Sequence, residues 1–138
     1  MMAITYTHEM PDKSEYFKLF ESTGWNEDYG ASADDLITVI ENSSHFICAY
    51  DDSKLVGFAR MISDGLLHAV IFDVIVLPDY QGRGIGRALM DDILEQCRKW
   101  RIRDIQLFCA KGKVGFYEKC GFKSRADNGP GMEIKFKY

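Results

Sequence analysis

Gln81-Gly82-Arg83-Gly84-Ile85-Gly86 stands between an apolar stretch and a helical one. Before it, Ala69 to Leu77 is broken only by Asp73 and ends at Pro78. After it, Ile85, Leu89, Ile93, Leu94 and Cys97 recur at helical spacing, which predicts a helix to about Trp100. Glycine lets a backbone aim several N–H groups at one point without side-chain obstruction. The free amides and dipole of the helix start then favour an anion, and a pyrophosphate is the natural guest. Two familiar phosphate patterns fail here. A nucleotide-triphosphate loop needs Lys and Ser/Thr after its last glycine, and Gly86 is followed by Arg87-Ala88. The G-x-G-x-x-G fingerprint fails in both registers, because its third glycine falls on Arg87 or on Leu89. What remains is Q-x-x-G-x-G, met by Gln81, Gly84 and Gly86.

Working outward, the chain reads as a run of short elements without repeats or low-complexity linkers. Ile4 to Thr7 reads as a strand, and Pro11-Asp12 opens a helix to about Ser22. Thr23 to Ala31 reads as an aromatic-rich loop. Ser32 and Asp35 form a capping pair for a helix to about Asn42. Strands follow over His45–Tyr50, Leu55–Ile62 and Leu67–Leu77, with a turn at Asp51–Lys54 and a hairpin signal at Asp64-Gly65. Beyond the long helix come a strand at Ile105–Cys109, a short helix at Val114–Lys119, and strands at Phe122–Ser124 and Met132–Tyr138. The order β-α-α-β-β-β-α-β-α-β-β predicts one α/β (α+β) domain over 1–138. Its central sheet is mixed and mostly antiparallel, because hairpins pair antiparallel strands and the long helix is a parallel crossover.

Composition narrows the function classes. The 138 residues suffice for a single fold burying roughly two-thirds of its unfolded surface. No apolar run approaches the ~20 residues that span a membrane, and no signal-peptide pattern opens the chain. Cys48, Cys97, Cys109 and Cys120 are scattered, as are His8, His45 and His68. This spacing suggests a reducing, cytoplasmic setting and no metal. The net charge of −4 argues against nucleic acid. Residues 1–79 carry 14 acidic and 4 basic side chains, net −10; residues 80–138 carry 7 and 13, net +6, which together give −4. A basic side for a polyanionic cofactor and an acidic side for a cationic substrate would explain this, and so would plain surface charge.

The pattern Gln81, Gly84, Gly86 resembles the acyl-CoA signature of the GNAT superfamily of N-acyltransferases. Phe116-Tyr117-Glu118-Lys119-Cys120-Gly121-Phe122 resembles that superfamily's F-Y-x-x-x-G-F segment, which follows the fifth strand. The resemblance covers nearly the whole chain in order of elements, most tightly 55–138. Within the superfamily, the chain is similar to small bacterial and plant proteins of the serotonin (arylalkylamine) N-acetyltransferase type. The shared pieces are Gly57-Phe58-Ala59-Arg60, Ser63-Asp64, Asp73-Val74, Leu107-Phe108-Cys109-Ala110 and Gly131-Met132. Two departures stand out. Ala110 occupies the place of an asparagine that often holds the pantetheine arm. Val70 and Phe72 fall where the animal enzymes carry a histidine pair.

The resemblance implies transfer of an acetyl group from acetyl-CoA to a primary amine, by direct attack in a ternary complex. It implies that Ile75 and Val76 hold the pantetheine through their backbone, with the Val76 amide as oxyanion donor. Gln81, Gly82, Arg83, Gly84, Ile85, Gly86 and Arg87 would surround the pyrophosphate, and Phe116 would lie with the cofactor. Tyr117 is the expected general acid, since a phenol titrating near 10 is protonated at neutral pH. Asp73, set among Val70, Ile71, Phe72, Val74, Ile75 and Val76, is costly to bury unpaired. It is either the general base or half of a salt bridge to Arg60. His68 is a second candidate base, and a water relay would need neither. Trp25 and Tyr29, with Phe58, are candidates to wall an amine pocket or simply to fill a core. Cys120 reads as a small buried hydrophobe rather than an acetyl carrier. The run Arg98 to Arg103 reads as a solvated helix end, with the cofactor's 3′-phosphate a secondary reading. The expected partner is a small-molecule amine, with neither nucleic acid nor membrane involved. Relatives that pair through C-terminal strands make a homodimer the default. Acetylation of protein amines and CoA sensing without turnover are the competing functions.

Overall fold

The fold is that of a computed structural model, which describes residues 3–138. Strands β1 (Ile4–Thr7), β2 (His45–Asp51), β3 (Lys54–Ser63), β4 (His68–Val76) and β5 (Asp104–Leu107) form one five-stranded sheet in sequence order. The first four pair antiparallel: the chain passes through the helical segment 8–44 between β1 and β2, while short reversals at Asp52-Ser53 and at Asp64–Leu67 join β2 to β3 and β3 to β4. In the last reversal the Asp64 carboxylate accepts from the amides of Leu66, Leu67 and His68, which closes the hairpin without further chain. Only β5 runs parallel to its neighbour, because helix α4 (Ile85–Trp100) carries the chain back across the sheet.

Alternation along the strands sends successive side chains to opposite faces, and each face has its own helical cover. On one face Ile85, Leu89, Met90, Ile93 and Cys97 of α4 pack on Ile47, Ala49, Ala59, Met61 and Ile71. On the other, α1 (Lys13–Glu21) and α3 (Ala33–Glu41) bring Tyr16, Leu19, Phe20, Leu36 and Ile40 onto Cys48, Leu55, Phe58 and Ile75. Full burial of each leucine, isoleucine, methionine or phenylalanine among them stabilises by about 1.5–3 kcal/mol. The helix starts follow the expected chemistry. Asp12 accepts from the amides of Ser14 and Glu15, and Ser32 and Asp35 form a reciprocal capping box. Among the described residues, no helix is long and apolar enough to cross a membrane.

Two expectations are corrected. The aromatic loop at 23–31 contains a helical turn, α2 (Asn26–Tyr29), because buried Asn26 clamps Ala31 through both its donor and its acceptor. The two C-terminal strands do not form, so the sheet has five strands rather than seven. After α5 (Val114–Lys119), Phe122 is retained by edge-on packing against Tyr117. The chain then turns at 127–129 and passes Gly131 so close to the Phe108 ring that a Cβ would collide with it. Lys135 bonds Asp28 at 3.1 Å, drawing the tail toward α2 instead of along β5. The alternation Met132, Ile134, Phe136, Tyr138 is strand-like, but without a backbone edge alongside it has no ladder to join, and these side chains are exposed.

Candidate functional site

The site begins where β4 and β5 part. Their pairing runs from His68–Asp104 to Ile71–Leu107, where β5 ends while β4 continues to Val76. At the same point β4 bulges. Phe58 pairs with Ile75 and Arg60 with Phe72, so Asp73 and Val74 together oppose Ala59 alone. Asp73 has φ 53°, a left-handed conformation that costs a non-glycine residue stability and that aspartate tolerates better than most. Backbone direction beyond the bulge follows from one bond. Leu77 N–H donates to Val56 O on β3, so by alternation the N–H and C=O of Ile75 also face β3. Those of Val76 then face the opposite way, into the opening left by β5. There the Gln81 side-chain amide donates to Val76 O at 2.9 Å.

The glycine loop closes one end of this opening. Gly82 and Gly84 have φ of 76° and 84°, which only glycine adopts without strain. Gly84 is the N-cap of α4 and supplies no side-chain cap. The first helical bond runs from Ala88 N–H to Gly84 O, so the amides of Ile85, Gly86 and Arg87 have no partner within the helix. Gly86 lies close against α5 (Val114–Lys119): a Cβ there would lie 3.3 Å from the Phe116 ring, tighter than ordinary contact. Tyr80 braces the loop, donating to Asp51 at 2.6 Å and stacking under Arg83 at 5.5 Å.

Between these walls lies a cleft of about 790 Å³. It brings together Trp25, Tyr29, Asp73, Ile75, Val76, Gln81, Gly82, Gly84, Gly86, Arg87, Phe116 and Tyr117, residues 92 positions apart from first to last. Two predicted cofactor residues are not in its lining. Ile85 is 2% exposed, its side chain committed to the core under α4, and Arg83 lies against Tyr80. The sequence reading also missed Ser22, Thr23, Lys113 and Glu133, which do line it. They arrive from helix ends, loops and the unpaired tail, and carry no spacing that would mark them.

Each titratable group has a definite setting. Tyr117 is half-buried, edge-on to Phe116 with centroids 5.0 Å apart, and burial pushes its phenol up to about 12. Asp73 Oδ2 accepts from Arg60 Nε at 2.6 Å, so the salt bridge forms and the same carboxylate also borders the cleft. His68 is outside the lining, at the far end of β4 between Asp64 and Asp104. Burial raises the Cys120 thiol, which packs against the α4 core. The basic run after Arg98 lies at the opposite end of α4 from the loop, with Arg101 as its left-handed C-cap. Ala110 lines the cleft, presenting a methyl where the resemblance leads one to expect an amide. Trp25 and Tyr29 are both partly exposed at the mouth, resting on Phe20. Lys135 Nζ lies 5.8 Å over the Tyr29 ring while bonding Asp28.

This cleft can hold a phosphate-bearing ligand at the α4 start and an extended arm along Val76. A protonated phenol stands over one side, and a carboxylate stands in the bulge. The sequence profile described as the Acetyltransferase (GNAT) family matches residues 6–122. The N-acetyltransferase ycf52 of Pyropia yezoensis is 36% identical over 122 residues, covering 86% of this chain and 68% of that protein. A chloroplastic serotonin N-acetyltransferase 2 of Oryza sativa subsp. japonica is 40% identical over 77 residues, 56% of this chain and 38% of that one. The chain thus spans only part of each curated relative. A GNAT-family acetyltransferase structure from Streptococcus pneumoniae TIGR4 superposes with a TM-score of 0.78 at 26% identity, over 99% of this chain and 98% of that one.

Proposed function

The chain belongs to the Acetyltransferase (GNAT) family, and from that membership we propose that it transfers the acetyl group of acetyl-CoA to the primary amine of a small molecule. The observation that carries this reading is the Val76 amide, turned into the opening between β4 and β5, with the glycine loop at one end and Tyr117 beside it. Bound acetyl-CoA would supply an activated acyl carbon on a thiol leaving group. The α4 amides and the cations of Arg87 and Lys113 suit its phosphates. The Val76 N–H is placed to stabilise charge on the thioester oxygen during direct attack in a ternary complex. Tyr117 would give its proton to the departing sulfur as the C–S bond breaks and the C–N bond forms.

The acceptor side is the mouth formed by Trp25, Tyr29 and Glu133. Support for an amine comes from Lys135, a primary alkylammonium that already rests on Tyr29 and Asp28. Arg60 occupies one oxygen of Asp73, leaving the other to receive the amine's proton, directly or through water. The four cysteines are free, which supports the reducing cytoplasm we assign. The exposed alternating tail is the surface through which the implied homodimer would form.

CoA release measured with arylalkylamines, polyamines and lysine peptides tests this reading. A small amine is expected to give the highest kcat/KM. Turnover with peptides alone would make the chain a protein acetyltransferase; acetyl-CoA binding without turnover above hydrolysis would make it a sensor. For Asp73→Asn, asparagine tolerates the left-handed bulge, so the fold should survive. We expect kcat at neutral pH to drop about tenfold, below the usual general-base range because water can carry the proton. The rising limb of the pH–rate profile should disappear. A variant that keeps the limb and loses only thermal stability would leave Asp73 as a purely structural partner of Arg60.

A further inference from the structure

His8, His45 and His68 are far apart in the sequence, but the fold brings two of them together outside the cleft lining. His8 directly follows β1 and His45 opens β2, so the antiparallel pairing of these strands sets them side by side. Their ring centroids are 4.9 Å apart. Asp92 reaches down from the middle of α4 and meets both: His8 Nε2 lies 3.0 Å from Oδ1, and His45 Nε2 lies 2.8 Å from Oδ2. One ligand atom from each of the three residues falls within 4.8 Å of the other two. The His45 ring is held edge-on by Trp100, while His8 keeps half its side chain exposed.

Three separate elements thus converge one nitrogen type and one carboxylate on a single point. In the absence of a cation both imidazoles turn Nε2 to the same carboxylate. A divalent cation replaces that arrangement with two Nε2 lone pairs and a carboxylate oxygen, the Nδ1 atoms then carrying the protons. We propose that His8, His45 and Asp92 bind a zinc-class divalent cation, with water completing the coordination on the exposed His8 side. An N₂O donor set suits the borderline ions, zinc foremost, and does not suit calcium or magnesium, which take oxygen. Tetrahedral zinc–ligand bonds of ~2.0–2.2 Å set ligand atoms roughly 3.3–3.6 Å apart, so the widest present separation must close while the 2.8 and 3.0 Å histidine–carboxylate contacts open slightly. Rotation of the half-exposed His8 ring and of the Asp92 carboxylate supplies that adjustment. The ion's role is a clamp. It would tie the β1–β2 edge of the sheet to α4, and since none of its ligands lines the cleft, it takes no part in the acyl transfer.

Zinc chloride titrated into reduced, tag-free, chelator-stripped protein against a chromophoric chelator tests the site. One equivalent should bind and raise the thermal midpoint by several degrees. His8→Asn and Asp92→Asn should each weaken zinc by at least about tenfold and remove the thermal shift. Cobalt in place of zinc should give ligand-field bands without thiolate charge transfer. His8 is exposed enough that His8→Asn should match the parent midpoint in EDTA, which separates lost binding from lost folding. Absence of stoichiometric binding would overturn the site and leave a hydrogen-bonded cluster. So would binding unchanged in His8→Asn, or a thiolate charge-transfer band, which would point to a cysteine such as the exposed Cys109.

Discussion

Tyr117→Phe is expected to lower kcat by about 10²–10⁴-fold, the usual worth of a positioned general acid, while acetyl-CoA affinity stays within about twofold. The substitution removes one oxygen and leaves the ring between Phe116 and Phe122, whose edge-on packing holds α5 in place. Loss therefore falls on the step that needs the proton and spares ground-state binding, which is how an interaction confined to the transition state shows itself. The pH dependence has a definite sign. Burial raises the phenol to about 12, so it stays protonated through the neutral and mildly alkaline range. Any fall in wild-type kcat below about pH 10 must then come from another group. Above that pH the unfolded chain loses its tyrosine proton before the folded one does, so this group's contribution to stability declines between about 10 and 12. Single-turnover measurement with a saturating amine separates chemistry from product release. An unchanged chemical rate would remove Tyr117 as the acid.

What the sequence disclosed follows from how local each constraint is. The loop at 81–86 was legible because two glycines take positive φ and a third lies close against an aromatic ring, demands that glycine meets at least cost. Asp73 stood out because a carboxylate inside an apolar run needs an explanation, and the bulge and Arg60 supply it. The face turned by Val76 was not legible. It depends on the parity of hydrogen bonding relative to β3 and on where β5 stops, both tertiary facts. Helix α2 was hidden for a related reason, since its turn is stabilised by Asn26 reaching Ala31 and not by apolar spacing. The tail misled because alternation reports an amphipathic extended segment without specifying an edge to receive it. His8, His45 and Asp92 were invisible as a group, because only strand pairing and the rotation of α4 place them together.

Gly86→Val is expected to weaken acetyl-CoA binding by about a hundredfold, corresponding to the upper end of the 1–3 kcal/mol cost of overpacking. A Cβ at this position already falls 3.3 Å from Phe116 Cζ, and valine adds two methyl groups beyond it. The helix cannot retreat, because Ile85 on one side and Leu89 a turn later are fully committed to the core beneath α4. Phe116 must therefore move outward and carry α5 with it, disturbing Tyr117 and the mouth of the phosphate site together. The thermal midpoint should change less than the affinity, since Phe116 is only partly buried and most of the α4 interface is untouched. Calorimetric titration with acetyl-CoA measures the loss, and a second substitution identifies its cause. In Gly86→Val/Phe116→Ala the clash is gone, so affinity should recover well above that of the single valine variant, with a coupling energy between the two sites. Recovery would place the glycine's role in helix-to-ring contact. If the double variant binds as weakly as the valine variant, the added methyls obstruct the ligand itself, and Gly86 is then a wall of the pyrophosphate site.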